Sequence, residues 1–367
     1  CRKVTVEFPR KPMTASKNMA PKNQAIGNKV LVVGPSWVGD MVMAQSLFML
    51  LRQQDPNVLI DVLAPSWSRP ILERMPEVRR AIDMPIGHGS IMWGDRRKIG
   101  LELRLEHYAQ AIILPNSMKS ALIPWFAKIP YRSGWKGEMR YGLLNDLRHL
   151  DKGSYPLMVQ RFAALALHKS AELPDSLPRP ALTADSQNAT ALLVRLSLTS
   201  GRKILALCPG AEFGPSKQWP EEHYAKVAAN KISEGWQVWL LGSEKDRKVG
   251  QKIIDSLSFN YREHSYNLAG ATKLGDVIDL LSIADAVVSN DSGLMHIAAA
   301  LGRPLVVVYG STSPKFTPPL GKKAVMLSVP VDCGPCFQRE CSIKSMKCLN
   351  DLSPTKVISE LSQLVPN

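Results

Sequence analysis

Residues 29–52 read KVLVVGPSWVGDMVMAQSLFMLLR, and this stretch decides the fold class. Residues 29–34 are a β-branched run that stops at a glycine, as a buried strand does. From 41 to 52 the apolar residues return at helical spacing, so the segment reads as strand, turn and helix. The pattern then recurs. Residues 58–63 read as a strand, 67–75 as a short helix, 110–114 as a strand and 117–127 as a helix. Strands alternating with helices imply a parallel, doubly wound sheet. Between 170 and 190 the period is lost among Pro174, Pro178, Pro180 and small polar residues, which marks a change of domain. The alternation restarts with strands at 203–207, 236–241, 286–288 and 305–309 and helices at 223–233, 274–283 and 293–301. A last helix over 354–364 has either half to pack against. The expected organisation is therefore a tail (1–28), a Rossmann-like domain (29–175), a second of the same kind (176–350) and a closing helix (351–367).

A chain of 367 residues, 45% hydrophobic and 21% charged, can bury two ordinary cores. No apolar run approaches the ~20 residues of a membrane-spanning helix, and the start lacks the apolar stretch of a signal peptide, so the body is expected to fold in the cytosol. The formal charge of +14 calls for an anionic partner. Part of the surplus lies in residues 1–29, where seven basic residues face the single acid Glu7. That segment reads as a disordered basic tail, with Met13 or Met19 as candidate starts. No nucleic-acid motif accompanies the charge, which argues against nucleic-acid binding.

Three strand-to-helix turns carry candidate chemistry. The first, residues 34–40, is GPSWVGD rather than the G-x-G-x-x-G fingerprint of dinucleotide binding, which weakens a dehydrogenase reading. Asp40 lies where a strand's carboxyl end meets a helix, the usual ligand crevice, as a helix cap, a catalytic base or both. Residues 288–296, VSNDSGLMH, form a second such turn, and a helix start presents free N–H groups and about +0.5 charge to a diphosphate. Ser292 and His296 share a helical face; a capping residue and an ordinary half-buried histidine fit equally. Residues 209–220, PGAEFGPSKQWP, are the third, either a ligand loop with the point charge of Lys217 or a solvated surface loop. Gly242, Ser243 and Glu244 end the next strand, facing a nucleoside or capping a helix.

Taken together, five segments, PSWVGDMVMAQSL, RSGWKGEMRYGLLND, PGAEFGPSKQWP, LLGSEKD and VSNDSGLMHIAAALGRPLVVVYG, in this order and spacing, resemble the ADP-heptose:lipopolysaccharide heptosyltransferase family. The resemblance runs from about residue 29 to about 364. It implies the GT-B glycosyltransferase fold, two Rossmann-like domains facing across a cleft. It also implies metal-independent, inverting transfer from ADP-heptose to Kdo-linked lipid A that already bears one heptose. Matched position by position, the family's base falls on Asp40, its catalytic lysine on Lys217 and its donor motif on Asp291, Ser292, Gly293 and His296. Gly210, Glu212, Ser216, Gly242, Ser243 and Glu244 complete the expected donor set. Such an acceptor carries phosphates and carboxylates, for which the N-terminal half offers Arg96, Arg97, Lys98, Lys119, Ser120, Arg132 and Arg140, a solvated basic face being the alternative; Trp135 stacks on a sugar or belongs to the core. Peripheral contact with the inner membrane's cytoplasmic face follows from a lipid-anchored acceptor. Addition of a different heptose of the core, a GT-B-shaped nucleotide-sugar epimerase and a nucleotide-sugar sensor are the competing readings.

Cys333, Cys336, Cys341 and Cys348 are spaced C-x2-C-x4-C-x6-C. In a reducing cytosol this spacing fits a structural zinc site or a set of paired or free thiols.

Overall fold

Thirteen strands, numbered here in chain order, form two sheets in a computed structural model that describes residues 2–4, 28–86, 91–199 and 201–366. The chain divides between Arg179 and Pro180 into two compact units, and the first strand, β1 (Arg2–Val4), goes with the second unit.

The first unit holds β2 (Lys29–Val33), β3 (Leu59–Ala64), β4 (Val78–Asp83), β5 (Gln110–Ile113), β6 (Tyr131–Trp135) and β7 (Asp146–Arg148). They pair in parallel in the order β4-β3-β2-β5-β6-β7. This is the doubly wound order 3-2-1-4-5-6, whose switch point lies between β2 and β5. The helix Val38–Gln54 returns from β2 and buries Met41, Leu47, Phe48 and Leu51; it packs on the helix Met158–Ala166. Gly34 lets that helix start close to the sheet, because a Cβ there would lie 2.8 Å from Met41 Cε. On the opposite face the helix Trp93–Arg104 packs on Leu122–Phe126 over a core of Leu31, Ala111, Ile113 and Ile123. β4 carries two arginines, yet it belongs to the sheet. Asp61 on β3 is fully buried and accepts Arg79 at 2.8 and 2.5 Å, Arg80 at 3.2 Å and Tyr108 at 2.5 Å. Burial pushes the Asp61 carboxyl up, but the bonds from Arg79 and Tyr108 outweigh it and hold it below its ordinary value.

The second unit repeats the plan with β8 (Ile204–Cys208), β9 (Gln237–Leu240), β10 (Ser265–Asn267), β11 (Ala286–Asn290), β12 (Leu305–Tyr309) and β13 (Ala324–Ser328). Their parallel order, β13-β12-β11-β8-β9-β10, is again 3-2-1-4-5-6 read from β10, with its switch point between β8 and β11. Trp219, Trp236, Tyr224, Val238 and Val306 lie in its core. The closing helix Pro354–Leu364 is capped by Ser353, which accepts from Thr355 N at 3.2 Å, and packs on Glu221–Ser233 and β12. The choice left open by the sequence therefore falls on the second unit.

One expectation is corrected at the amino end. Residues 2–4 are not a tail but an edge strand, antiparallel to β13 in the register Arg2↔Ser328, Val4↔Met326. The outer edge of β13 offers unpaired backbone groups, and a short extended segment satisfies them whatever its charge. The rest of the expected tail, 5–27, lies outside the described residues, as do the candidate starts.

Candidate active site

Both switch points are built from the turns singled out above. In the first unit, Asp40 is the third residue of the helix Val38–Gln54, which Trp37 precedes in extended conformation. The helix begins three residues earlier than its apolar period suggested, so Asp40 is not the cap. Asp40 is half-buried and lies in a first helical turn, where the helix dipole favours negative charge.

Around the carboxyl end of β5, burial divides the expected acceptor residues. Arg140 is 1% exposed, and its guanidinium donates to Pro115 O at 2.7 Å, Asn116 Oδ1 at 3.2 Å, Ser120 Oγ at 3.4 Å and Trp135 O. Desolvation lowers its pKa to about 10. Arg96, 4% exposed, donates to Ile91 O at 2.6 Å and Lys119 O at 3.2 Å. Arg132 donates to Leu143 O at 2.6 Å and Ile129 O at 2.5 Å. Ser120 donates to Ser117 O at 2.5 Å, and the buried Trp135 donates its indole N–H to Arg161 O at 2.9 Å. These five groups spend hydrogen bonds on the protein's own oxygens, as donors in or near a core must. Arg97 and Lys98 are exposed and Lys119 is half-buried.

This reading predicts that Arg140→Ala is primarily a stability defect of about 2–4 kcal/mol, since it strands several buried acceptors. Urea unfolding measures it. A KM change at unchanged stability would instead return Arg140 to the acceptor.

In the second unit, Asn290 at the end of β11 joins the two sides of the switch point. Its Oδ1 accepts from Trp219 N at 3.1 Å and Tyr224 OH at 3.0 Å, and its Nδ2 donates to Pro209 O at 2.6 Å. The neighbouring Asp291 accepts from Lys217 Nζ at 2.7 Å and Thr312 Oγ1 at 2.5 Å. The helix Gly293–Ala300 starts beside this pair with Ser292 as its N-cap, and Ser292 makes no side-chain cap bond. His296, on the same helix, is buried, and desolvation lowers its pKa to about 4 although Asp291 opposes the shift. A lysine, a helix start and a neutral imidazole thus converge where a parallel sheet binds anions.

The flanking turns are fitted closely. A Cβ on Gly210 would lie 2.5 Å from the Asp246 carboxyl carbon, and one on Gly242 would lie 2.8 Å from Asp246 Cβ. Asp246 in turn accepts both the N–H and the hydroxyl of Ser243 at 2.8 Å. Glu244 is exposed at this edge, and its carboxyl group occupies the space a side chain at Gly270 would need. Glu212 is exposed and ion-paired with Lys245 at 2.6 Å. Ser216, expected in the donor set, is held within the fold. Ser216 is buried, bonded to Ser311 Oγ at 2.9 Å and Gln338 O at 2.5 Å, so its hydroxyl is spent on the fold.

Thr312, Asn290 and Arg339 were not anticipated. Arg339 lies 5.6 Å from the centre of the Phe213 ring, which Lys217 Nζ meets at 4.8 Å, and its carbonyl accepts from Ser216 N at 3.2 Å. Thr312 had one signal, a Ser-Thr-Ser run one glycine after a strand end.

The expectation of zinc is not supported. Among the described residues no group of three or more His, Cys, Asp or Glu side chains is placed to hold a metal ion. Cys333, Cys336, Cys341 and Cys348 are free thiols. Backbone N–H groups of Met346, Ile343, Ser345 and Lys344 point at Cys341 and hold its thiol below the ordinary value. No helix among the described residues is long and apolar enough to cross a membrane.

Because His296 stays neutral down to about pH 4 in the fold and a free histidine titrates near 6.5, the unfolded chain binds the extra proton in between. Its contribution to stability is complete above pH 6.5 and is lost as the pH falls toward 4. His296→Gln should flatten the acid limb of a plot of Tm against pH; an unchanged limb would place the acid sensitivity elsewhere.

Comparison with known proteins gives the chemistry a family. Residues 96–347 match the family description "Glycosyltransferase family 9 (heptosyltransferase)". The chain is 48% identical to lipopolysaccharide heptosyltransferase 2 of Escherichia coli K12, over 92% of this chain and 98% of that one. It is 52% identical to lipooligosaccharide heptosyltransferase 2 of Haemophilus influenzae, over 81% of this chain and 88% of that one. The solved structure of E. coli ADP-heptose lps heptosyltransferase II superposes with a TM-score of 0.83 at 48% identity, covering 92% and 98% of the two chains. Similarity of that order along nearly the whole of both chains leaves one assignment: this chain belongs to glycosyltransferase family 9, and it is a glycosyltransferase of GT-B architecture.

Proposed function

We propose that this enzyme moves L-glycero-D-manno-heptose from ADP-heptose to the first heptose of the Kdo2-lipid A inner core, with inversion, at the cytoplasmic face of the inner membrane. The observation that carries the reading is the near-full-length identity with heptosyltransferase 2 proteins, joined to a cationic switch point in the second unit. Departure of ADP builds negative charge on the diphosphate and oxocarbenium character on the sugar. Lys217, with two ammonium protons left beyond its bond to Asp291, and the N–H groups of the Gly293–Ala300 start stabilise that charge. Glu244, Ser243 and Gly242 border the nucleoside, and neutral His296 serves as a hydrogen-bonding group rather than a cation. Asp40 takes the proton of the attacking acceptor hydroxyl, which becomes acidic as the new bond forms. Arg97, Lys98 and Lys119 meet the anionic acceptor.

The test is incubation with ADP-heptose and two acceptors, Kdo2-lipid A with and without its first heptose, read by mass spectrometry. Gain of one heptose on the heptosylated acceptor alone supports the assignment. Gain on the bare acceptor would make the protein the first transferase of the core. Altered free sugar nucleotide would make it an epimerase, and binding without turnover a sensor.

A further inference from the structure

The helix Trp93–Arg104 divides its circumference into three sectors. At 100° per residue, Trp93, Arg104, Arg97, Leu101, Leu105 and Lys98 fall in turn within an arc of about 140°, and all six are exposed, Leu105 at 79% and Trp93 at 51%. The exposed acids Glu102 and Asp95 lie just beyond that arc. The remaining sector carries the buried Leu103, Arg96 and Gly100, and it is packed against the neighbouring helix so closely that a Cβ on Gly100 would lie 2.4 Å from Phe126 Cβ. One face of the helix is therefore fixed to the protein, while the opposite one is both apolar and basic.

The neighbouring helix continues this surface. Trp93 meets Phe126 edge-on at 5.4 Å, and Phe126 meets Trp125, itself 42% exposed, at 5.0 Å. Where the two helices end, Arg104, His107, Lys128 and Tyr131 line an open cavity of about 590 Å³. Tyr131 is half exposed. Exposed tryptophan, tyrosine and leucine interleaved with arginine and lysine is the composition of a surface that lies in the headgroup layer of an anionic membrane. Scattered apolar side chains need no explanation, but a contiguous apolar face that carries basic residues within its arc does.

We infer that this two-helix face docks the enzyme on an anionic phospholipid surface, with Leu101, Leu105, Trp93 and Trp125 entering the headgroup layer and the Arg104–Lys128 cavity taking a lipid phosphate. The choice of occupant rests on charge: four basic residues, Arg97, Lys98, Arg104 and Lys128, stand on or beside the apolar arc and the acids stand off it. The inference deepens the proposed use of a lipid-anchored acceptor, and docking is measurable without any acceptor, so either can fail alone.

The experiment is flotation of the full chain with phosphatidylcholine vesicles, with and without phosphatidylglycerol. The wild type should float with the anionic vesicles and fall off as salt is added, because attraction to the surface is screened within ~8–10 Å. Leu101→Asp with Leu105→Asp, and separately Arg104→Glu with Lys128→Glu, should each lower the partition coefficient by about tenfold or more. ADP affinity and Tm should stay at the wild-type values, since these side chains are exposed. Undiminished flotation of both double variants would overturn the inference, as would equal binding to neutral vesicles. A dimer seen by light scattering and abolished by Leu101→Asp with Leu105→Asp would overturn it too, by assigning the face to a second copy of the chain.

Discussion

Asp40→Asn should lower kcat by about 10²–10⁴-fold while leaving ADP affinity within about twofold of wild type, because general-base help typically contributes that much to the rate. Asparagine is isosteric, so the Val38–Gln54 helix keeps its start. The proposed donor groups Lys217, Asp291 and Ser292 belong to the second unit, so ADP binding should not register the change. Two measurements separate the roles: single-turnover transfer reads the base, and calorimetry with ADP reads the donor site. A folded Asp40→Asn protein with near-normal turnover would exclude Asp40 as the base. Asp40→Glu should retain part of the activity, since the chemistry is kept and only its reach altered.

How much of this was legible beforehand depended on what each side chain was asked to do. The strands whose residues are buried on both faces, such as β2, β5, β11 and β12, announce themselves as β-branched runs. β4 does not. Its Val-Arg-Arg-Ala-Ile-Asp pattern looks solvated because the partner of Arg79 and Arg80, the buried Asp61, is far away in sequence. The helix Trp93–Arg104 was missed for a related reason: its outer face carries apolar groups where a soluble helix should be polar, which blurs its period.

For the site, the strand-to-helix turns were found because small residues and glycines are needed there whatever the ligand. What the sequence obscured was which polar side chains point outward. An arginine that binds carbonyls within a loop, as Arg140 and Arg96 do, has the same letter as one that binds a phosphate. Ser216 likewise bonds its hydroxyl to Ser311 and Gln338. Only burial separates the two uses, and burial belongs to the fold.

The second large effect is expected at the pair that burial does favour. Lys217 and Asp291 are bonded at 2.7 Å with side chains 13% and 4% exposed, so each is the other's main solvation. Removing the lysine alone takes a cation from the diphosphate and leaves an uncompensated carboxylate beside it. A charged hydrogen bond is worth about 1.5–3 kcal/mol, which sets the first part of the loss at roughly 10–150-fold in ADP affinity, and the exposed negative charge adds to it. Asp291→Asn should weaken binding less, because Lys217 keeps its charge and Thr312 can still hold the amide. The double variant Lys217→Ala with Asp291→Asn should then bind ADP better than Lys217→Ala alone, since the repulsive charge is gone. Calorimetric titration of the four proteins closes the cycle, and coupling of about 1–3 kcal/mol between the two substitutions is the expected result. Strict additivity, or an ADP affinity unchanged by Lys217→Ala, would move the donor diphosphate away from the junction of β8 and β11.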